Sequence, residues 1–134
     1  MKKTELSKGI YWVGAIDWLT RDFHGYSTNR GTTYNAYLII DEKITLIDAV
    51  KEVYRGEMMH RIRNIIDPQK IDYIVVNHVE MDHSGGFPGL IEEVQPEKVI
   101  CSKMGHKALL QHFHNDTWPF HVVGTGDEIS IGKR

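Results

Sequence analysis

Cysteine is almost missing from this chain. Cys101 is the single one among 134 residues, so no disulfide closes within the chain and no cysteine-rich metal site is available. No apolar run approaches the roughly 20 residues that span a bilayer, so no membrane partner is expected. The start, Met1-Lys2-Lys3-Thr4-Glu5, is charged but leads into no apolar core followed by small residues. A cleaved signal peptide is therefore not expected, and the expected location is the cytoplasm. The formal net charge is only −2 with histidine neutral, which argues against a nucleic-acid partner and its broad basic surface. Repeats, low-complexity stretches and linkers are missing too. Gly85-Gly86 and the Gly124/Gly126 pair fit neither G-x-G-x-x-G nor G-x-x-x-x-G-K-[ST], so no nucleotide loop is read.

What is there is an ordinary globular composition, 41% apolar and 25% charged, in a length that suits one domain. Ile10–Ala15 and Tyr34–Ile40 read as strands, rich in aromatic and β-branched residues. Asp41-Glu42-Lys43 breaks the pattern before Ile44–Asp48 resumes it, so Tyr34–Asp48 reads as a β-hairpin. Val53, Met59, Ile62, Ile65 and Ile66 recur at helical spacing over Lys51–Ile66, which Asp67-Pro68 ends. Ile71–Val76 suits a buried strand. Phe87–Glu93 reads as a short helix and Glu97–Cys101 as a strand. Ser102 is placed to cap a helix over Lys103–Phe113. Two short strands, His121–Val123 and Glu128–Ile131, are expected around the Gly124/Gly126-Asp127 turn. Strands first, then strand and helix in alternation, predict a mixed α/β sheet protein.

The unusual count is histidine, eight in all. Two of them fall in Asn77-His78-Val79-Glu80-Met81-Asp82-His83-Ser84-Gly85-Gly86, directly after the buried strand. In extended chain, side chains at i, i+2 and i+4 share a face, which predicts His78, Glu80 and Asp82 together, with His83 joining at the turn. Two imidazoles and two carboxylates then converge with no cation in the segment to balance them, a crowding that favours a bound metal ion. The bland alternative is a solvated acidic loop. The position at the C-terminal end of a strand in an α/β arrangement is where sites gather. Cys101 reads as a small buried residue. His60, His106, His112, His114 and His121 follow no ligand spacing and read as structural or surface residues, with His112 and His114 close enough to take adventitious metal.

His78-x-Glu80-x-Asp82-His83 resembles the metal signature of the metallo-β-lactamase superfamily, usually H-x-H-x-D-H, in the glutamate form of the flavodiiron oxygen and nitric oxide reductases. The resemblance extends through Val13–Trp18, Arg21–Tyr26, Gly31–Leu38, Lys70–Tyr73 and Gln95–Lys98. It implies an α/β metallo-β-lactamase-like fold (a four-layer αββα sandwich) of which residues 1–134 form the N-terminal half. It implies His78 and Glu80 on one iron, and Asp82 and His83 on the other. His24 would stand near the iron pair, against the alternative of a surface loop histidine. Tyr26 would donate its phenol to a bound oxygen species, or else simply pack. Asp48 would hold the ligand loop by hydrogen bonding, with or without capping the helix near Lys51.

In that family FMN, from a flavodoxin-like domain on the facing subunit of a head-to-tail dimer, feeds electrons to the iron pair, which reduces O₂ to water or NO to nitrous oxide. A rubredoxin or similar protein is the donor. The family's flavodoxin-like domain and its later ligands have no counterpart in this sequence. The resemblance therefore implies a partial diiron site, no turnover by this chain alone, and a homo-oligomer or a partner supplying the missing half. Two rival readings are a zinc hydrolase of the same superfamily and a non-catalytic half that assembles with a second chain.

Overall fold

The structure, a computed structural model, describes residues 2–134. Strands β1 (Thr4–Ser7), β2 (Ile10–Trp12), β7 (Tyr37–Ile39), β8 (Thr45–Ile47), β9 (Tyr73–Val76), β10 (Lys98–Ser102) and β11 (Phe120–Val123) form one seven-stranded sheet in the order β1-β2-β7-β8-β9-β10-β11. The first half of the sheet is antiparallel and the second half, from β8 onward, is parallel. Connection length explains the change. The β7–β8 link is a short hairpin, whereas β8, β9, β10 and β11 are joined through helices, as parallel neighbours require. These helices are α1 (Arg55–Arg63), α2 (Met81–Ser84), α3 (Phe87–Val94) and α4 (Lys103–Phe113). None is long and apolar enough to cross a membrane.

The predicted strands Ile10–Ala15 and Tyr34–Ile40 each divide in two. After Trp12 the chain leaves the large sheet and continues as β3 (Ala15–Asp17), which pairs only with β6 (Thr32–Tyr34). The break falls at Gly14, where a Cβ would stand 2.0 Å from the Tyr34 carbonyl oxygen. Only glycine lets the two backbones come that close. The Val13 N–H donates to the Ala36 carbonyl at 2.9 Å and stitches the two sheets together. A third small pair, β4 (Asp22–Phe23) with β5 (Tyr26–Ser27), forms a separate hairpin.

The helix expected over Lys51–Ile66 begins with a 3-10 turn at Glu52–Tyr54 and is α-helical only over α1. The α-helix ends at Arg63, short of the expected stop, and residues 64–66 are turn and bend; the Asp67 carboxylate then accepts from the Gln69 N–H at 3.0 Å and Pro68 opens the next 3-10 turn. Ser102 caps α4 as expected, its hydroxyl accepting from the Gly105 N–H at 3.0 Å. Glu128–Ile131 is not a strand. Among the described residues the segment is held by one backbone bond, from the Lys43 N–H to the Ile131 carbonyl at 2.9 Å, with no ladder to extend it.

Register decides which side chains meet. Leu38, Leu46, Ile74, Val99 and Phe120 lie in one row across β7–β11. That row packs with Met58, Ile62, Leu90 and Leu109 of the helices in the core. Tyr37, Ile47, Val75 and Ile100 form the row on the opposite face, and none of them belongs to that core.

Candidate metal centre

The site lies beyond the C-terminal ends of β8 and β9, where open α/β sheets place their ligands. Asp48, immediately after β8, adopts φ +57°, a left-handed conformation that Asp tolerates better than most residues. Its carboxylate accepts from the Asn77 N–H at 2.8 Å, at the start of the loop that follows β9. Burial pushes the Asp48 carboxyl above the usual range, while the N–H groups of Asn77 and His78 and the nearby His83 oppose that shift. Asp48 is thus bonded to the first residue of that loop. It does not cap the following helix: Lys51 occupies the cap of the 3-10 turn, with no side-chain cap bond.

The extended reading of the ligand segment needs correction. The chain is extended only as far as Glu80, whose carbonyl accepts the His83 and Ser84 N–H groups at 2.8 and 2.9 Å and starts the helical turn α2. Asp82 therefore lies on a helical turn beside His83, not on a strand face with His78 and Glu80, while His83 lies on the turn as expected. The buried Ser84 hydroxyl donates to the Val79 carbonyl at 2.7 Å and closes the loop on itself. The Ala49 N–H donates to the His83 carbonyl, and the Gly86 N–H to the Val50 carbonyl, tying the loop to the end of β8. A Cβ on Gly86 would meet that Val50 oxygen at 2.9 Å, so the close approach depends on glycine.

Three imidazoles end up facing the two carboxylates. His24 Nε2 lies 3.0 Å and His78 Nε2 3.4 Å from the same Glu80 oxygen, Oε2. His83 Nε2 lies 3.2 Å from Asp82 Oδ2. Donor atoms of His24, Glu80 and Asp82 all fall within 4.8 Å of one another. Among the described residues no lysine or arginine pairs with either carboxylate. The Nδ1 of His83 is buried and without a partner. A set of Nε2 atoms and carboxylate oxygens converging without a balancing cation has the chemistry of a divalent-metal site, and the residues present fit such an ion.

His24 arrives from elsewhere. It and Gly25 form the two-residue turn of the β4–β5 hairpin, with φ +49° and +78°. Positive φ at both positions is what a type I′ hairpin turn needs, and it is unusual for histidine. The ring sits edge-on to Phe23 at 4.2 Å. Tyr26, on the other arm of the hairpin, is 76% exposed, and it does not line the hollow of about 420 Å³ bounded by Phe23, His24, Lys51, Glu80, Met81, Asp82 and His112. Lys51 and His112 in that lining are not singled out by the spacing argument. Lys51 carries one legible signal, its place three residues after Asp48 at a strand end. His112 lies on α4, and only the packing of that helix brings it there. Cys101 is buried, and burial pushes its thiol up, which leaves it unreactive.

Residues 32–134 match the family described as "ODP family beta lactamase". The chain is 53% identical to a rubredoxin-oxygen oxidoreductase of Megalodesulfovibrio gigas over all of its own length and 34% of that protein's. It is 46% identical to a nitric oxide reductase of Moorella thermoacetica, over 96% of this chain and 33% of that one. The crystal structure of the flavodiiron protein from Giardia intestinalis superposes with a TM-score of 0.94 at 34% identity, covering 100% of this chain and 33% of the other. The chain thus spans about a third of the length of the curated relatives it matches. With the fold, the ligand-loop sequence and these likenesses together, the chain belongs to the ODP family of metallo-β-lactamase-like proteins and is homologous to the N-terminal part of the flavodiiron O₂ and NO reductases.

Proposed function

We propose that this chain supplies part of the ligand set of a diiron centre that reduces O₂ or NO, with His78 and Glu80 serving one iron and Asp82 and His83 the other. The observation that carries the reading is the set of imidazole Nε2 atoms turned onto the Glu80 and Asp82 carboxylates. Hard carboxylate oxygens beside imidazoles suit iron. An iron pair, when bound, supplies electrons to the substrate. The protein's own part is to hold the donors in place. Asp48 fixes the entry to the ligand loop, Ser84 and Gly86 fix its exit, and the β4–β5 hairpin presents His24 at the open side. Tyr26 sits on that hairpin as a candidate proton donor. FMN and a rubredoxin-type donor belong to this reading for the intact enzyme, as the names of the relatives suggest, and so does a cytoplasmic location.

The test is metal uptake. The chain dialysed against Fe²⁺ under anaerobic conditions is expected to retain it weakly, because much of the coordination shell is left to water. His78→Ala combined with His83→Ala is expected to lower the retained iron at least tenfold. Unchanged iron in that double variant overturns the assignment.

A further inference from the structure

Lys51 shares the hollow with the candidate metal ligands, and among the described residues it is the sole lysine or arginine lining it. Its ammonium does not go to the carboxylates. Neither Glu80 nor Asp82 has a lysine partner within 4.0 Å, and both are faced by histidines instead. The ammonium rests over two aromatic faces, 4.8 Å from the centroid of Tyr34 and 5.5 Å from that of Phe23. Tyr34 is fully buried, and its hydroxyl is held by Asp17 at 2.7 Å, so this ring is a fixed seat. Cation–π attraction of this kind holds a charge in place without neutralising it. The result is a positioned, unpaired positive charge beside a cluster of anionic metal ligands.

Such a charge is awkward for a site whose only task is to bind a cation, because it repels the ion. It makes sense where a negatively charged ligand follows the metal in. We propose that Lys51 is an anion-holding residue of this centre, its ammonium taking the outer end of a small monovalent anion whose inner end would meet the metal ion held by the ligand loop. The proposal rests on the metal reading above. It makes Lys51 a positioning residue for the charged form of a small ligand, one that offers a hydrogen-bond donor as well as charge.

The experiment uses the full chain loaded with Co²⁺, whose ligand-field absorption reports on what joins the ion, and azide as the anion. Lys51→Met keeps the length and apolar stem and removes the charge; Lys51→Arg restores a cation that also stacks on aromatic rings. Circular dichroism and thermal melts check that both variants fold. In Lys51→Met the affinity for Co²⁺ is expected to rise about fivefold at low salt, since a like charge nearby is gone. Azide affinity is expected to fall about tenfold, the worth of one charge-assisted contact. Lys51→Arg is expected to bring azide affinity back to within about threefold of the parent. Azide binding by Lys51→Met equal to that of the parent overturns the anion subsite and leaves the metal reading standing. A parent chain that takes up no Co²⁺, or takes it up equally well without His78 and His83, overturns the metal reading, and the subsite falls with it.

Discussion

Asp17 offers the sharpest test of how this fold carries its site. The residue is 5% exposed, and its carboxylate accepts from the Leu19 and Thr20 N–H groups at 3.1 and 3.0 Å, the Thr20 hydroxyl at 2.5 Å and the Tyr34 hydroxyl at 2.7 Å, with Tyr54 a further donor. Burial opposes its charge, but the bonds from Thr20, Tyr34 and Tyr54 outweigh it and hold the carboxyl far below the usual carboxylate range. Asp17→Ala strands the Tyr34 hydroxyl inside the core. A buried donor left unsatisfied costs about 1–3 kcal/mol, and hydrogen bonds to a charged acceptor are worth about 1.5–3 kcal/mol each. Relief of the carboxylate's desolvation offsets part of this, so the expected net loss is about 3 kcal/mol. That is a large share of the roughly 5–15 kcal/mol that stabilises a domain. With a urea slope of about 2 kcal/mol per molar, the midpoint falls by about 1.5 M.

The assay is urea denaturation followed by circular dichroism at fixed protein concentration, on Asp17→Ala, Tyr34→Phe and the pair together. Because the pair shares one bond, the double variant is expected to lose about 1–2 kcal/mol less than the sum of the singles. The pH dependence has a definite sign. A carboxyl depressed in the folded state stabilises above its unfolded pKa near 4, and that contribution is lost as pH falls below it. Parent and Asp17→Ala are therefore expected to converge in stability on acidification from about pH 5 downward. A loss under about 1 kcal/mol at neutral pH, or strict additivity with Tyr34→Phe, refutes the reasoning.

Two further outcomes follow from the packing. Gly14→Ala drives a methyl group to within 2.0 Å of the Tyr34 carbonyl, where backbone must move. A cost of about 2–3 kcal/mol is expected in the same urea assay, typical of overpacking, and a neutral variant would contradict the close crossing of the two sheets. The row Tyr37, Ile47, Val75 and Ile100 lies on the sheet face away from the helices, and apolar sheet faces invite a partner. Light scattering across a concentration series is expected to report association of the 134-residue chain, and a 15.5 kDa monomer with a cooperative melt at low concentration would contradict it.

Much of this protein is written locally. The hairpin around Asp41-Glu42-Lys43, the turn at Asp67-Pro68 and the cap at Ser102 depend on a few adjacent residues, so periodicity and turn chemistry reveal them. The nearness of His78, Glu80, Asp82 and His83 is legible for the same reason, although α2 rather than an extended strand brings Asp82 round. The split of Ile10–Ala15 and Tyr34–Ile40 is not legible, because it arises where two strands change partners at a backbone contact between Gly14 and Tyr34. The placing of Lys51 and His112 in the hollow with Glu80 likewise needs tertiary structure. His24 follows no ligand spacing, and only a family likeness marks it. Its Nε2 meets Glu80 across 56 residues of chain, and a contact of that separation depends on how the β4–β5 hairpin docks. Phe23 of that hairpin packs against the Tyr34 ring, and Asp17 accepts the Tyr34 hydroxyl, contacts whose partners lie too far apart in the sequence for any local pattern to join.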